Sequence, residues 1–331
     1  MKRRYAALGA GLPIAVALTA CGGGASGGDA ARPQHAPVSR GTPATPGPLR
    51  VRTVGALPAP VQFPAAAAAA GGQILIMGGL SSADTSVATI TSLQGRQASA
   101  VGTLPTPLHD AAGVSIDGRA FFIGGGGAAS ESDRVLAVAP NGRTTPETTL
   151  PTPASDIAAA VVGSTAYVIG GYTGAASLRT IVAFRPGGSP RVAGRLPQPL
   201  RYAAAAAVGG RIVIAGGTSA ATAQRAILSF DPGTGGVRTL GRLPGPLTHA
   251  TGASLNGALY VIGGRTDSTT GQTRTILAVD PGTGRVSRAG KLPYSLSDAA
   301  AVTQGGRILV IGGRDARGQV HPEVLALEPG R

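Results

Sequence analysis

The sequence predicts an all-β fold of six blades, each of four antiparallel strands, and three observations carry that expectation. A short apolar run ending in two glycines recurs at Gly78-Gly79, Gly124-Gly125, Gly170-Gly171, Gly216-Gly217, Gly263-Gly264 and Gly312-Gly313, in steps of 46, 46, 46, 47 and 49 residues. A second marker, Leu-Pro, keeps step at Leu57, Leu104, Leu150, Leu196, Leu243 and Leu292. Third, Val51 to Pro58 matches Val237 to Pro244 at six of eight positions, although no first three strands precede it. A period of this length marks an array of supersecondary units, and four strands per unit form blades around a channel, a β-propeller. The chain stops just after a third strand, so the N-terminal strand is expected to complete the last blade, closing the ring and removing two sheet edges.

In chain order, residues 1–20 read as a signal peptide. Lys2, Arg3 and Arg4 precede an apolar run from Tyr5 to Leu18, too short to span a bilayer. Leu18-Thr19-Ala20-Cys21 resembles the lipobox of bacterial lipoproteins, which implies acylation of Cys21, the one cysteine of the chain. Two acyl chains give stable membrane anchoring. Residues 21–49 are rich in Gly, Pro, Ala and Ser without apolar periodicity and are expected to form a flexible tether with a reach of roughly 30 Å. His35 sits there as a solvated residue. Residues 50–331 form the propeller.

One repeat shows how the residues make the strands. After Leu243-Pro244, the segment from His249 to Ser254 leads to a turn at Asn256-Gly257, then to the apolar run from Ala258 to Gly264 and a loop of variable length. A third strand from Thr275 to Val279, a tight turn at Asp280-Pro281-Gly282-Thr283-Gly284 and a fourth strand from Arg285 follow. Asn256-Gly257, Asp117-Gly118 and Gly209-Gly210 are two-residue hairpin signals. The alanine runs from Ala65 and from Ala203 have helix propensity but are short and bounded by glycine. They are expected as innermost strands, where blades converge and small side chains are needed.

Composition agrees with this reading. The 53 Gly, 26 Pro, absent Trp and 13% charged residues suit short strands joined by turns. The formal charge of +14 falls to +11 when Lys2, Arg3 and Arg4 leave with the signal. Nucleic acid is excluded as a partner because the cations are dispersed singly, without interleaved aromatics, on a chain carrying an export signal. An anionic envelope component is the more natural partner; Arg-rich usage on a solvated surface explains the same count.

The double glycine after an apolar strand, followed by a third strand ending in Phe230-Asp231-Pro232, resembles the kelch repeat. Phe184-Arg185-Pro186 and Val279-Asp280-Pro281 are weaker copies, and Val237 and Val286 stand where that family usually has tryptophan. The resemblance covers Leu49 to Arg331 and implies a kelch-type six-bladed β-propeller. Kelch propellers include galactose oxidase, whose copper site needs a cysteine crosslinked to tyrosine; the propeller here has no cysteine, and only His109, His249 and His321 as histidines. No metal, no cofactor and no catalytic constellation is expected.

Two repeated sets remain as candidate binding residues. The residues opening the innermost strands, Phe63, Asp110, Asp156, Tyr202, His249 and Asp298, are equivalent and should ring one mouth of the channel. Arg179, Arg225 and Arg274 align at the start of the third strand, with Arg134 offset by one. In kelch propellers both positions share one face with the variable loops, which carry Asp84, Glu131, Asp133, Tyr172, Arg265, Asp267, Arg314, Asp315 and Arg317. Each set has a plain structural alternative. An Asp before a strand commonly closes an Asx turn, and repeated arginines commonly tie neighbouring loops.

The expected function is that of a monomeric propeller, lipid-anchored outside the cytoplasm in a bacterial cell envelope, binding an envelope protein or an anionic glycan through its loop face. The resemblance also admits sugar chemistry, since periplasmic sialic acid mutarotases are kelch propellers. Arg134, Arg179, Arg225 or Arg274 with Glu131, Asp156 or Glu323 would then supply the cation and the acid-base groups. A purely structural envelope protein is the third reading.

Overall fold

A computed structural model describes residues 47–266 and 271–330. The signal segment, Cys21, His35, the tether up to residue 46, and Asp267 lie outside the described residues.

The described chain forms six antiparallel sheets arranged as the blades of a propeller. Five are continuous in sequence. The first runs through Ala65–Ala68, Ile74–Met77, Thr89–Gln94 and Gln97–Thr103, ordered from the axis outward. The sixth takes Ala300–Gln304, Arg307–Ile311 and Glu323–Pro329 from the end of the chain and its outermost strand, Leu49–Ala56, from the beginning. Leu49 pairs with Pro329 and Ala56 with Glu323. The expected closure by the N-terminal strand is therefore the observed one. Blade 4 adds a small hairpin, Thr218–Ser219 against the start of its third strand.

Each alanine run is an innermost strand, as its crowding requires. A side-chain carbon on Gly113 of blade 2 would come within 2.4 Å of the Ala66 carbonyl oxygen of blade 1. The first-to-second-strand turns take the left-handed backbone that two-residue hairpins need, as at Asn256 (φ 48°) and Gly257 (φ 78°).

The core lies between the blades. Six hydrophobic clusters each combine residues of two adjacent blades, for example Tyr260, Ile262 and Ile276 of blade 5 with Ile308, Val310 and Leu327 of blade 6. Val237 and Val286, at the tryptophan place, pack on the edges of two such clusters. Among the described residues every cluster is built from Leu49 onward.

The glycine pairs clasp the blades together. Gly170 lies at φ 60°, and a side-chain carbon there would stand 2.0 Å from the Leu200 carbonyl oxygen in the loop entering the next blade. The Gly171 N–H donates to that same oxygen at 2.9 Å. The contact repeats around the ring, ending with Gly313 N–H donating to the Val61 carbonyl across the closure. A bulge between the third and fourth strands also recurs in all six blades, as between Ile276 and Leu277.

Candidate functional site

The residue that opens each innermost strand sits in left-handed backbone: Phe63 (φ 53°), Asp110 (φ 52°), Asp156 (φ 57°), Tyr202 (φ 55°), His249 (φ 55°) and Asp298 (φ 62°). Their peptides close a cycle. Asp110 N–H donates to the Phe63 carbonyl, Asp156 to Asp110, Tyr202 to Asp156, His249 to Tyr202, Asp298 to His249, and Phe63 to Asp298, at 2.7 to 3.2 Å. Left-handed backbone costs a non-glycine residue about 1–2 kcal/mol, least for Asp and Asn, so the aromatic members hold real strain. The ring offsets it with one inter-blade hydrogen bond per blade.

The preceding residue in each blade is locked to the residue just beyond the glycine pair: Gln62 to Leu80, His109 to Gly126, Ser155 to Tyr172, Arg201 to Thr218, Thr248 to Arg265, and Ser297 to Arg314. This pairing brings variable-loop side chains to the mouth. All six ring residues line a cavity of about 160 Å³, whose remaining wall is the alanine- and glycine-rich innermost strands.

The ring side chains divide into two groups. Tyr202 and His249 stack with centroids 3.8 Å apart and planes 23° from parallel. Phe63, from the opposite side of the axis, approaches both rings to about 6 Å. The other three are carboxyls. Arg201 Nη1 donates to Asp156 Oδ2 at 3.0 Å, and its guanidinium lies 4.7 Å above the Tyr172 ring. Arg265 donates to Asp298 Oδ2 and, through Nε at 3.1 Å, to Ser297 Oγ, which itself donates to Asp298. Arg314 reaches across the ring closure to Asp84 Oδ1 at 3.0 Å. Each of these pairs joins two neighbouring blades.

Asp156 and Asp298 thus accept from guanidinium groups, and the Asx-turn alternative does not describe them. That alternative does hold for Asp280 and Asp315, whose Oδ1 atoms accept backbone N–H groups two to four residues on.

Asp110 differs from the other two carboxyls. Among the described residues no guanidinium contacts it; His109 Nε2 lies 3.8 Å away, on a ring whose burial favours the neutral form. Burial, and then the charges of Asp156 and Asp298, hold its carboxyl well above the usual range. Burial raises Asp156 and Asp298 as well, and hydrogen bonds from Ser155 and Ser297 with the charges of Arg201 and Arg265 offset only part of that rise. Burial followed by Arg265 and Arg201 lowers His249 to about 3, leaving it neutral. Burial and the neighbouring carboxylates keep the Tyr202 hydroxyl protonated, donating to Asp156. The mouth therefore offers one carboxyl held well above the usual range with no arginine on it, two carboxyls each paired with an arginine, and a stacked aromatic pair.

A pH-dependent stability follows from Asp110. A raised carboxyl binds its proton in the folded state and releases it in the unfolded one, so stability falls as pH climbs from the ordinary value of 3.8 toward the folded value. Asp110→Asn, which tolerates the left-handed backbone, should raise the thermal midpoint at pH 7 by several degrees, an effect that vanishes near pH 4. Thermal melts of both chains across that range check it; an unchanged or lower midpoint at pH 7 refutes it.

The third-strand arginines do not join the ring. Arg179 Nε donates to the Leu196 carbonyl at 3.1 Å, and Arg225 donates to Leu243 and Pro244, each holding the Leu-Pro corner of its own blade. Arg134 and Arg274 are exposed, and none of the four lines the cavity. Glu323 lies elsewhere on the loop face, 3.1 Å from His321 Nδ1, with Tyr294 stacked on the imidazole at 4.1 Å. Among the described residues no group of three His, Cys, Asp or Glu is placed to share a metal ion.

Sequence reasoning missed Arg201. It occupies the same repeat position as Gln62, His109, Ser155, Thr248 and Ser297, one before the ring residue, so the repeat alignment contained the signal.

No protein-family model and no curated protein sequence matches the chain. Among solved structures it is similar to that of YjhT, with a TM-score of 0.71 and 16% identity over 83% of this chain and 97% of the other. At that identity the likeness establishes the propeller fold alone.

Proposed function

We propose that this chain is a kelch-type propeller of the bacterial cell envelope, anchored through Cys21, that binds a sugar unit of an envelope glycan at the mouth of its channel. The observation that carries this reading is the convergence of the six ring side chains on one cavity of about 160 Å³. A hydroxyl-rich ligand suits that lining. The Tyr202 and His249 stack offers an apolar face, and the paired carboxylates and guanidiniums offer acceptors and donors without net charge. Acidic groups elsewhere on an anionic glycan would meet the exposed loop-face arginines, among them Arg134, Arg274 and Arg317. A concave polar mouth of this kind favours a glycan over an envelope protein as partner.

One observation favours a second reading, a sugar mutarotase of the periplasmic sialic acid mutarotase type. Asp110, whose burial favours the protonated form, and Asp156, which accepts a hydrogen bond from Arg201, stand on adjacent blades. In ring opening, an acid would protonate the ring oxygen while a base takes the proton of the anomeric hydroxyl; the bond from anomeric carbon to ring oxygen breaks, and closure restores both protons.

Calorimetric titration of the propeller with a panel of reducing sugars and oligosaccharides tests the binding. Affinity should fall about tenfold in Tyr202→Phe, which removes the hydroxyl held on Asp156. If no saccharide in the panel binds, or Tyr202→Phe binds equally well, the reading is wrong. Anomer exchange followed by NMR on the same sugars separates the two readings, because exchange abolished by Asp110→Asn selects the enzyme.

A further inference from the structure

The two faces of the propeller differ in charge. On the loop face Arg201, Arg265 and Arg314 are each paired with an aspartate, and Glu131, Asp133, Asp315 and Glu323 stand among the remaining arginines. The opposite face is made of the first-to-second-strand and third-to-fourth-strand turns. There Arg119 pairs with Glu147, Arg211 with Asp231, and Arg52 and Arg307 with Glu328. Six further arginines, Arg50, Arg96, Arg143, Arg185, Arg191 and Arg285, lie in or beside these turns, are exposed, and have no ion-pair partner among the described residues. Asp117 and Asp280 are the other carboxylates nearby, and Asp280 is occupied with the N–H groups of its own turn. Val192, the exposed large hydrophobic residue among those described, follows Arg191 on this same side at 44% exposure.

Topology places the incoming chain on the same face. The outermost strand of blade 6 starts at Leu49 opposite Pro329, and the Pro48 carbonyl accepts the Gly330 N–H at 2.8 Å, at the turn end of that blade. The first described residues therefore lie on the arginine-rich face.

We infer that the turn face docks on an anionic phospholipid surface, leaving the mouth of the channel pointing away from the membrane. The arginines are spread over several blades, as contact with a planar array of phosphates requires. Their attraction to it decays within a Debye length of about 10 Å. Each arginine brought against an anionic bilayer raises partitioning about fivefold. The inference uses the proposed N-terminal anchor for orientation only; the charge asymmetry stands without it.

Vesicle co-sedimentation of the chain from Pro43, a compact unit that contains every described core cluster and lacks Cys21, tests this. The chain should bind phosphatidylglycerol-containing vesicles, release them at high salt, and ignore pure phosphatidylcholine. In Arg96→Gln/Arg143→Gln/Arg285→Gln, partitioning onto the anionic vesicles should fall about tenfold or more, while Arg134→Gln/Arg274→Gln on the loop face binds as before. A smaller fall in the turn-face variant, an equal fall in the loop-face variant, or no binding to the anionic vesicles overturns the inference. Alginate serves as the competing polyanion: if the turn-face variant loses alginate but keeps the vesicles, the face serves an acidic glycan and the lipid docking fails.

Discussion

A chain beginning at Pro58 should not unfold cooperatively and should self-associate, whereas the chain beginning at Pro43 should remain a folded monomer. The deletion removes the outermost strand of blade 6, whose residues Leu49 to Ala56 pair with the third strand of that blade. Leu49, Val54 and Leu57 are buried in two different inter-blade clusters, and burying each such side chain contributes about 1.5–3 kcal/mol. Together with the lost strand pairing this approaches the whole stability of an ordinary domain, about 5–15 kcal/mol. The edge left behind is Val324 to Leu327, fully buried in the intact protein and apolar, which is a template for strand addition. Circular dichroism melts and size-exclusion chromatography of the two chains decide the matter. A synthetic peptide spanning Leu49 to Pro58 should restore a cooperative melt to the shortened chain; an unchanged midpoint and monomeric elution without the peptide would show that the sixth blade does not need its N-terminal strand.

Gly170→Ala should cost about 3–5 kcal/mol, while Gly163→Ala, at nearly the same backbone angle, should cost only about 1–2 kcal/mol. Both glycines have φ near 60°, so the conformational penalty of a side chain is shared. They differ in surroundings. Nothing lies within 4 Å of a side-chain carbon built on Gly163, whereas one on Gly170 stands 2.0 Å from the Leu200 carbonyl oxygen. That atom is backbone, and it already accepts the Gly171 N–H, so relieving the overlap separates blade 3 from the loop that enters blade 4. Denaturant midpoints with an unchanged slope measure the difference. Equal losses in the two variants would mean that the clasp contributes nothing beyond the left-handed backbone.

The closing strand and the glycine clasp also differ in how far local sequence specifies them. The closing strand is legible because Val51 to Pro58 repeats a fourth strand that has no first three strands before it. The glycine pairs are legible as a place where a side chain would collide. The collision partner, a carbonyl of the next blade about thirty residues on, is not, because nothing local in the sequence says which backbone atom will approach. The recurring bulge is likewise silent, since it is a property of pairing between two strands and not of either one.

The candidate site is legible in the same uneven way. Repeat alignment alone places Asp110, Asp156, Tyr202, His249 and Asp298 together with Phe63, because equivalent positions in a closed ring must share one mouth. Alignment cannot tell a residue that faces the axis from one that faces its own blade. The third-strand arginines repeat as regularly as the ring residues, yet Arg179 and Arg225 hold the Leu-Pro corners of their own blades. Arg201 repeats with nothing, being one arginine among Gln, His, Ser and Thr at its position, yet it holds Asp156 from 45 residues away.

The sequence by itself determined the number of blades, the alternation of strands and turns, the closing partner and the membership of the ring, because each is written as a period in the chain. Only the tertiary structure decided how the ring is held and what it presents. A peptide hydrogen bond passes from each blade to the next at the left-handed residues. Two of the three aspartates receive an arginine from a neighbouring blade, and Asp110, buried with no arginine of its own among the described residues, is held well above the usual carboxyl range. Charge balance at the mouth depends on which side chains meet across blades, a distance in space that periodicity along the chain does not contain.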